Sequence, residues 1–267
     1  MLGEPAPTQA DVHFRIAGFP VRVHPLFWLI ALVIGLNSFG GEPIASLLTV
    51  GVVFVSILVH ELGHAVLQRK YGGWPRIVLW GLGGLAICDD CDRSPRSQIL
   101  ISLAGPVAGF LFAVIVLAIL VMTQYTDFVP RWGYADPQTM ELQDQKQLSG
   151  TWLVIGTLYF QRFNLEALNI IVKMLLWVNI FWGLMNLLPV YPLDGGRIAR
   201  EVLTLGPRDP QDGIELSLKI SFGVAVGMAV VSVIITKDIY LAILFGFLAY
   251  NNYRTLQRYT GGPGYGW

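Results

Sequence analysis

From Pro43 to Val59 the chain holds no charged residue, and then His60-Glu61-Leu62-Gly63-His64 brings two imidazoles and a carboxylate within five positions. Apolar runs recur. Six segments approach the length of a bilayer-spanning helix, about 20 residues each: 24–40, 43–66, 98–123, 166–188, 217–236 and 239–256. The first is the weakest, because Gly35, Asn37 and two further glycines shorten its apolar core. His13 to Val23 alternates loosely around Gly18 and Pro20 and reads as a short strand or interfacial segment. Arg76 to Ile87 is too short and glycine-rich to span, so extended structure dipping toward the bilayer is expected there. Irregular backbone at that depth is tolerated only against protein or a water-filled cavity, which makes the stretch a candidate cavity wall. Thr126 to Asn164 is the one sizeable polar excursion and carries no recognisable motif. The pattern predicts an all-α polytopic membrane protein, with about six transmembrane helices and a small membrane-associated extended or β element. One membrane-embedded domain would cover 1–258, with an extracytoplasmic loop at 126–164 and a flexible C-terminal tail at 259–267.

Composition agrees: 54% of residues are hydrophobic and 13% charged, too apolar for an ordinary soluble domain. Met1 to Val23 is polar or alternating, unlike a cleaved signal peptide. Net charge is zero, but its distribution is informative. With a cytoplasmic amino terminus and six alternating spans, thirteen Lys and Arg residues fall on the cytoplasmic side. Four fall opposite: Arg131, Lys146, Arg162 and Lys237. Basic residues near span ends favour the cytoplasm, so a multi-pass cell-membrane protein is expected, with both termini and the histidine pair on that side. No basic patch with interleaved aromatics points to nucleic acid. Cys88 and Cys91 form one C-x-x-C with no second pair to complete a structural zinc site. In a reducing cytoplasmic loop they are expected as ordinary thiols without a structural disulfide, with redox sensing or a weak accessory metal site as the other readings.

Residues four apart lie on one helix face, so His60 and His64 can address one metal ion while Glu61 acts on metal-bound water. Ionisable groups in hydrocarbon are costly, which makes such a cluster a functional candidate. A catalytic zinc takes three protein ligands and one open position. His13 and His24 precede the first span, and Glu166 opens the fourth span on the far side. Asp194 follows that span at the depth of the histidines, and elimination selects it. In Asn186-Leu187-Leu188-Pro189-Val190-Tyr191-Pro192-Leu193-Asp194-Gly195-Gly196, two prolines break the helix and two glycines allow close backbone approach or positive φ.

These paired motifs resemble the site-2 protease family of intramembrane zinc metalloproteases, in the short six-span form of its minimal bacterial members. Gly105-Pro106, within Leu103 to Gly109, also looks like a family motif, although many relatives carry Asn where this chain has Gly109. The resemblance covers approximately residues 13–205. It implies His60, His64 and Asp194 as ligands of one catalytic Zn2+ and Glu61 as general base. It further implies that Asn186 hydrogen-bonds the substrate backbone or the oxyanion. The reaction implied is hydrolysis of a peptide bond within or near a transmembrane segment of a membrane-protein substrate.

Plainer readings stand beside these. H-E-x-x-H is short enough to arise by chance, Asp194 also reads as a helix N-cap, and Asn186 also suits the backbone groups freed near Pro189. Gly105-x-x-x-Gly109 and Gly223-x-x-x-Gly227 read as close helix-packing faces. His24 reads as an interfacial anchor, and Trp177, Phe181 and Trp182 as packing or lipid-facing groups. Two other functions fit the same motifs: a catalytically silent adaptor that binds membrane segments, and a metal transporter. The transporter requires polar residues along several spans, whereas here they gather at one depth.

Overall fold

The structure, a computed structural model, describes residues 4–38, 42–124, 126–130, 137–145, 147–153, 155–205 and 209–261. Residues 262–267 of the expected tail lie outside the described residues. The chain opens with β1 (Val12–Ile16) and β2 (Phe19–Val23), an antiparallel hairpin whose turn places Ala17 and Gly18 at positive φ. Helices α1 (Pro25–Ser38) and α2 (Pro43–Lys70) follow, then β3 (Arg76–Trp80) and β4 (Gly83–Ile87). β3 pairs in parallel with β2 and antiparallel with β4, giving one sheet of order β1-β2-β3-β4. The two extended segments expected from the sequence are therefore two hairpins of one sheet.

Helix α3 (Pro95–Thr123) leads to β5 (Thr126–Pro130), α4 (Pro137–Asp144), β6 (Leu148–Leu153) and β7 (Gly156–Gln161). The last part comprises α5 (Glu166–Asn186), α6 (Asp194–Thr204), α7 (Pro210–Val231) with a π turn over Ser232–Thr236, and α8 (Ile239–Tyr259). Three helices start where a polar side chain accepts a first-turn amide: Ser94 for α3, Asp209 for α7 and Asp238 for α8. Proline at the first helical position supports α3 and α7.

Four helices among the described residues are long and apolar enough to cross a bilayer: α2, α3, α5, and α7 with its π turn. Of the six segments expected, α1 is the short one. Its 14 residues rise about 21 Å, against roughly 30 Å of hydrocarbon. α8 has the length but ends in a polar stretch containing Asn251, Asn252 and Arg254. The outer face of α3 exposes Leu111, Val114, Ile115, Ile119 and Met122, an apolar stripe that suits lipid.

The main core joins the sheet to the helices that carry the site. Val21, Val23, Ile77 and Leu79 pack with Phe27 of α1, Ile57 of α2, and Met174 and Val178 of α5. The polar excursion is also more ordered than its sequence indicated. β5, β7 and β6 form a three-stranded sheet in that spatial order, and Leu158 and Phe160 bury against Ala113, Leu120 and Leu176.

Candidate metal and catalytic centre

His60, Glu61 and His64 are buried on one face of α2, and Asp194 is the buried first residue of α6. His60 Nε2 lies 3.1 Å from Asp194 Oδ2 and 3.1 Å from His64 Nε2, and His64 Nε2 lies 3.4 Å from Asp194 Oδ2. Donor atoms about 2.0–2.1 Å from a tetrahedral ion stand roughly 3.3–3.4 Å apart, so this triangle fits one zinc ion with a fourth direction left over. The histidine tautomer agrees. His64 Nδ1 sits 2.7 Å from the Ile101 carbonyl, which can only accept, so Nδ1 carries the proton. The lone pair of the neutral ring is then on Nε2, facing the triangle. Asp194 Oδ2 faces both Nε2 atoms, so its carboxylate can offer a third donor to the same point.

Glycines make room for this set. A β-carbon at Gly105 would collide with both imidazoles, so the Gly-Pro motif of α3 clears the space that the rings occupy. At Gly63 a β-carbon would meet the Ala104 carbonyl, which sets the close approach of α2 to α3 and brings the Ile101 carbonyl within reach of His64. Gly195 and Gly196 pack directly on the backbone of residues 187–191, folding α6 back against the end of α5. Their role is close approach, since neither has positive φ. The N-cap of α6 is Leu193, and Asp194 turns to the histidines instead of capping.

That loop is held from the last two helices. The Tyr191 amide donates to Ser221 Oγ at 3.1 Å, and its carbonyl accepts from Asn252 Nδ2 at 2.6 Å. Neither Ser221 nor Asn252 stood out in the sequence. Ser221 is one small polar residue among several in α7, and Asn252 lies in the polar end of α8, so no local pattern marks either.

The Glu61 side of the site is shaped by the sheet. Glu61 and Gln68 are seven residues apart and share a face of α2. A β-carbon at Gly84 of β4 would run into the Glu61 side chain, and Gln68 Nε2 donates to the Ala86 carbonyl at 2.9 Å. The direction of the β4 amides follows from the register. The Leu79 carbonyl accepts from the His24 amide, so Leu79 directs its backbone groups toward β2, as does Ile77 two residues before it. Their partners across the hairpin, Gly84 and Ala86, then direct theirs to the outer edge of the sheet. That edge is unpaired among the described residues and passes Glu61.

Asn186 closes α5, half-buried, and its side chain has no hydrogen bond among the described residues. It is not joined to the triangle by any hydrogen bond. Gly109 faces Asn179 across α3 and α5, and Asn179 donates to Ser56 Oγ at 2.9 Å. A buried amide of α5 thus stands beside Gly109 of α3. His24 is buried and its ring accepts the Leu26 amide, apart from the metal group. Trp177 stacks on Phe181, and Trp182 packs at the edge of the main core, as expected. Gly223 and Gly227 have no neighbour within 4 Å of a built β-carbon, which corrects their reading as a packing face: they point outward from α7.

The cysteines require a second correction. Cys88 and Cys91 were expected as free thiols, but the structure joins them in a disulfide. The chain turns sharply after β4 to reach the Ser94 cap, bringing the two Cα atoms to 5.7 Å, well within disulfide range. Gly73 lies beneath both sulfurs, where a β-carbon would collide with them.

The profile of peptidase family M50 matches residues 48–230, a range that includes the whole triangle. The chain belongs to peptidase family M50. It is 26% identical over 240 residues to a zinc metalloprotease of Methanocaldococcus jannaschii, covering 89% of this chain and 54% of that protein. It is 27% identical over 208 residues to a putative zinc metalloprotease of Mycobacterium tuberculosis, covering 71% of this chain and 42% of that protein. The chain thus spans about half the length of these curated relatives. Its fold is that of a site-2 protease: the solved site-2 protease of Methanocaldococcus jannaschii superimposes with a TM-score of 0.55 at 21% identity, covering 92% of this chain and 95% of that one.

Proposed function

We propose that this M50 chain is an intramembrane zinc endopeptidase that hydrolyses a peptide bond within or near a transmembrane segment of a membrane-protein substrate. The observation that carries the reading is the triangle of His60, His64 and Asp194 with Glu61 beside it, buried in an otherwise apolar helix. His60, His64 and Asp194 would hold the zinc ion. Zinc bound there supplies a Lewis acid for the scissile carbonyl and lowers the pKa of water toward about 7. Glu61 takes the proton of the attacking water and later delivers it to the leaving amine. The Ile101 carbonyl keeps His64 in the tautomer that the metal requires.

Substrate recognition follows from the bilayer. A helix buries its own amides, so the substrate must unwind locally before a peptide bond can react. Its freed backbone groups then need partners. The outward amides of β4 at Gly84 and Ala86 supply them by strand addition, which places the extended substrate next to Glu61. Asn186, whose amide is uncommitted, takes a further backbone group. In this reading α1 and α8 join the four long helices as six membrane segments, with both termini and the catalytic end cytoplasmic. Comparative proteomics of membrane fragments from cells with native protein and with Glu61→Gln tests the function. Fragments cut within transmembrane segments should disappear in the variant, and an unchanged fragment set would contradict it.

A further inference from the structure

A mostly polar cavity of about 200 Å³ is lined by Gln98, Ser102, Tyr191, Arg197, Arg200 and Glu201. It borders the site closely in sequence. Ser102 follows Ile101, whose carbonyl holds His64, and Arg197 lies one turn after Asp194 on α6. The guanidinium groups of Arg197 and Arg200 make no ion pair or hydrogen bond among the described residues. Elsewhere in the chain, arginines close to carboxylates are paired: Arg22 with Asp11 and Glu4, Arg76 with Asp89 and Glu4, Arg162 with Glu166. Two half-buried guanidinium groups left uncommitted in a concave polar site are suited to an oxyanion, which each can meet with paired N–H donors.

The place of the cavity narrows the source of that anion. α6 joins the end of one membrane span to the start of the next, so it lies at a membrane surface. Beyond the cavity it exposes Val202 and Leu205, each more than half accessible. Exposed aliphatic side chains beside basic ones on a short helix are the pattern of an element lying at the lipid boundary. Glu201 is the one anionic group of the cavity. Burial raises its carboxyl while Arg200 opposes the shift, and in its ionised form it works against an anionic guest.

We propose that this cavity binds a phosphate oxyanion, delivered by the headgroup of an anionic phospholipid, with free phosphate as the alternative source of the same chemistry. Arg197 and Arg200 grip the oxygens, Tyr191, Ser102 and Gln98 complete the polar wall, and Glu201 limits affinity. The site binds independently of hydrolysis, so its test does not depend on protease activity.

The test uses the full chain purified in a nonionic detergent. Native mass spectrometry counts short-chain phosphatidylglycerol retained per chain against phosphatidylcholine, and inorganic phosphate is added as competitor. One phosphatidylglycerol should be retained in preference to phosphatidylcholine, and millimolar phosphate should displace it. Arg197→Gln and Arg200→Gln should each weaken retention by about tenfold, the loss of one bidentate charged contact. Glu201→Gln should tighten it, a gain that general damage to the fold would not produce. Equal retention of both lipids, unchanged binding in the arginine variants, or weaker binding in Glu201→Gln would each overturn the proposal. Phosphate binding without lipid preference would overturn the headgroup as the source, and an acidic peptide bound in place of either would overturn the oxyanion assignment.

Discussion

Gly84 of β4 lies so close to the Glu61 side chain that no β-carbon fits between them. The sheet edge and the Glu61 side chain are therefore in contact, and the absence of a side chain at Gly84 helps set where the Glu61 carboxylate stands. Gly84→Ala should displace Glu61 and lower the cleavage rate by roughly 10²-fold, the low end of what a positioned base contributes. Zinc content should be unchanged. Gly81→Ala, whose added carbon meets Ile30 and Leu26 at 3.4 Å, serves as the hairpin control and should keep most activity.

Strand addition makes a directional prediction along β4. Ala86→Pro removes an outward amide and should slow cleavage by roughly fivefold, the worth of about one hydrogen bond, while the hairpin persists. Leu85→Pro removes a ladder bond to Val78 of β3 and should lower the melting temperature as well. Equal cleavage by both variants and the native chain, with zinc and fold intact, would refute the docking mode.

Asp194 is positioned from a distance. Asn252→Leu removes the donor to the half-buried Tyr191 carbonyl, leaving that acceptor unpaired at a cost of about 1 kcal/mol. The 187–193 loop should loosen, and zinc affinity should fall by roughly 10- to 100-fold, as when outer partners of a metal site are lost. Competition with a fluorescent chelator measures this. Unchanged affinity would show that the loop holds Asp194 without help from α8.

What the sequence revealed, and what it withheld, follows from how local each signal was. His60, Glu61 and His64 are set by a helical spacing, and Asp194 by depth and a proline-glycine break, all readable along one stretch of chain. The roles of Gly84 and Gly105 depend on which side chain another element brings against them, and no local pattern records that. The anchoring of Tyr191 by Ser221 and Asn252 joins residues 30 and 61 positions apart. The β5-β7-β6 sheet stayed hidden because its strands are short and β6 buries Ser149 and Thr151, polar residues that a hydropathy pattern does not mark, while β7 alone buries apolar ones. α1 and α8 illustrate the opposite limit: hydropathy finds apolar runs, whereas length and the polar end of α8 decide what crosses on its own.

The α2–α3 contact gives a stability comparison. Gly63→Ala places a carbon against the Ala104 carbonyl and should destabilise by about 1–3 kcal/mol through overpacking, weakening the His64–Ile101 bond with it. Gly51→Ala, on the same helix with open space around it, should be neutral or mildly stabilising. Thermal melting of the two variants in one detergent would show the ordering, and equal melting would contradict the close approach.

Orientation needs cysteines other than the native pair, since a disulfide resists thiol reagents whichever side it faces. In a chain with Cys88→Ser and Cys91→Ser, an impermeant maleimide on intact cells should label Met140→Cys and spare Tyr259→Cys, both exposed positions. The reverse labelling would overturn the proposed topology.

The central claim is that three residues hold the metal and a fourth moves protons. The most direct measurement is zinc content by plasma emission on purified Glu61→Gln and His60→Ala, with cleavage of a model membrane substrate followed on the same samples. Glu61→Gln should keep about one zinc per chain and cut nothing, because a general base is not a ligand, whereas His60→Ala should lose both metal and activity. Loss of zinc from Glu61→Gln as complete as from His60→Ala would contradict the division of roles, and undiminished cleavage by Glu61→Gln would contradict the proposed chemistry itself.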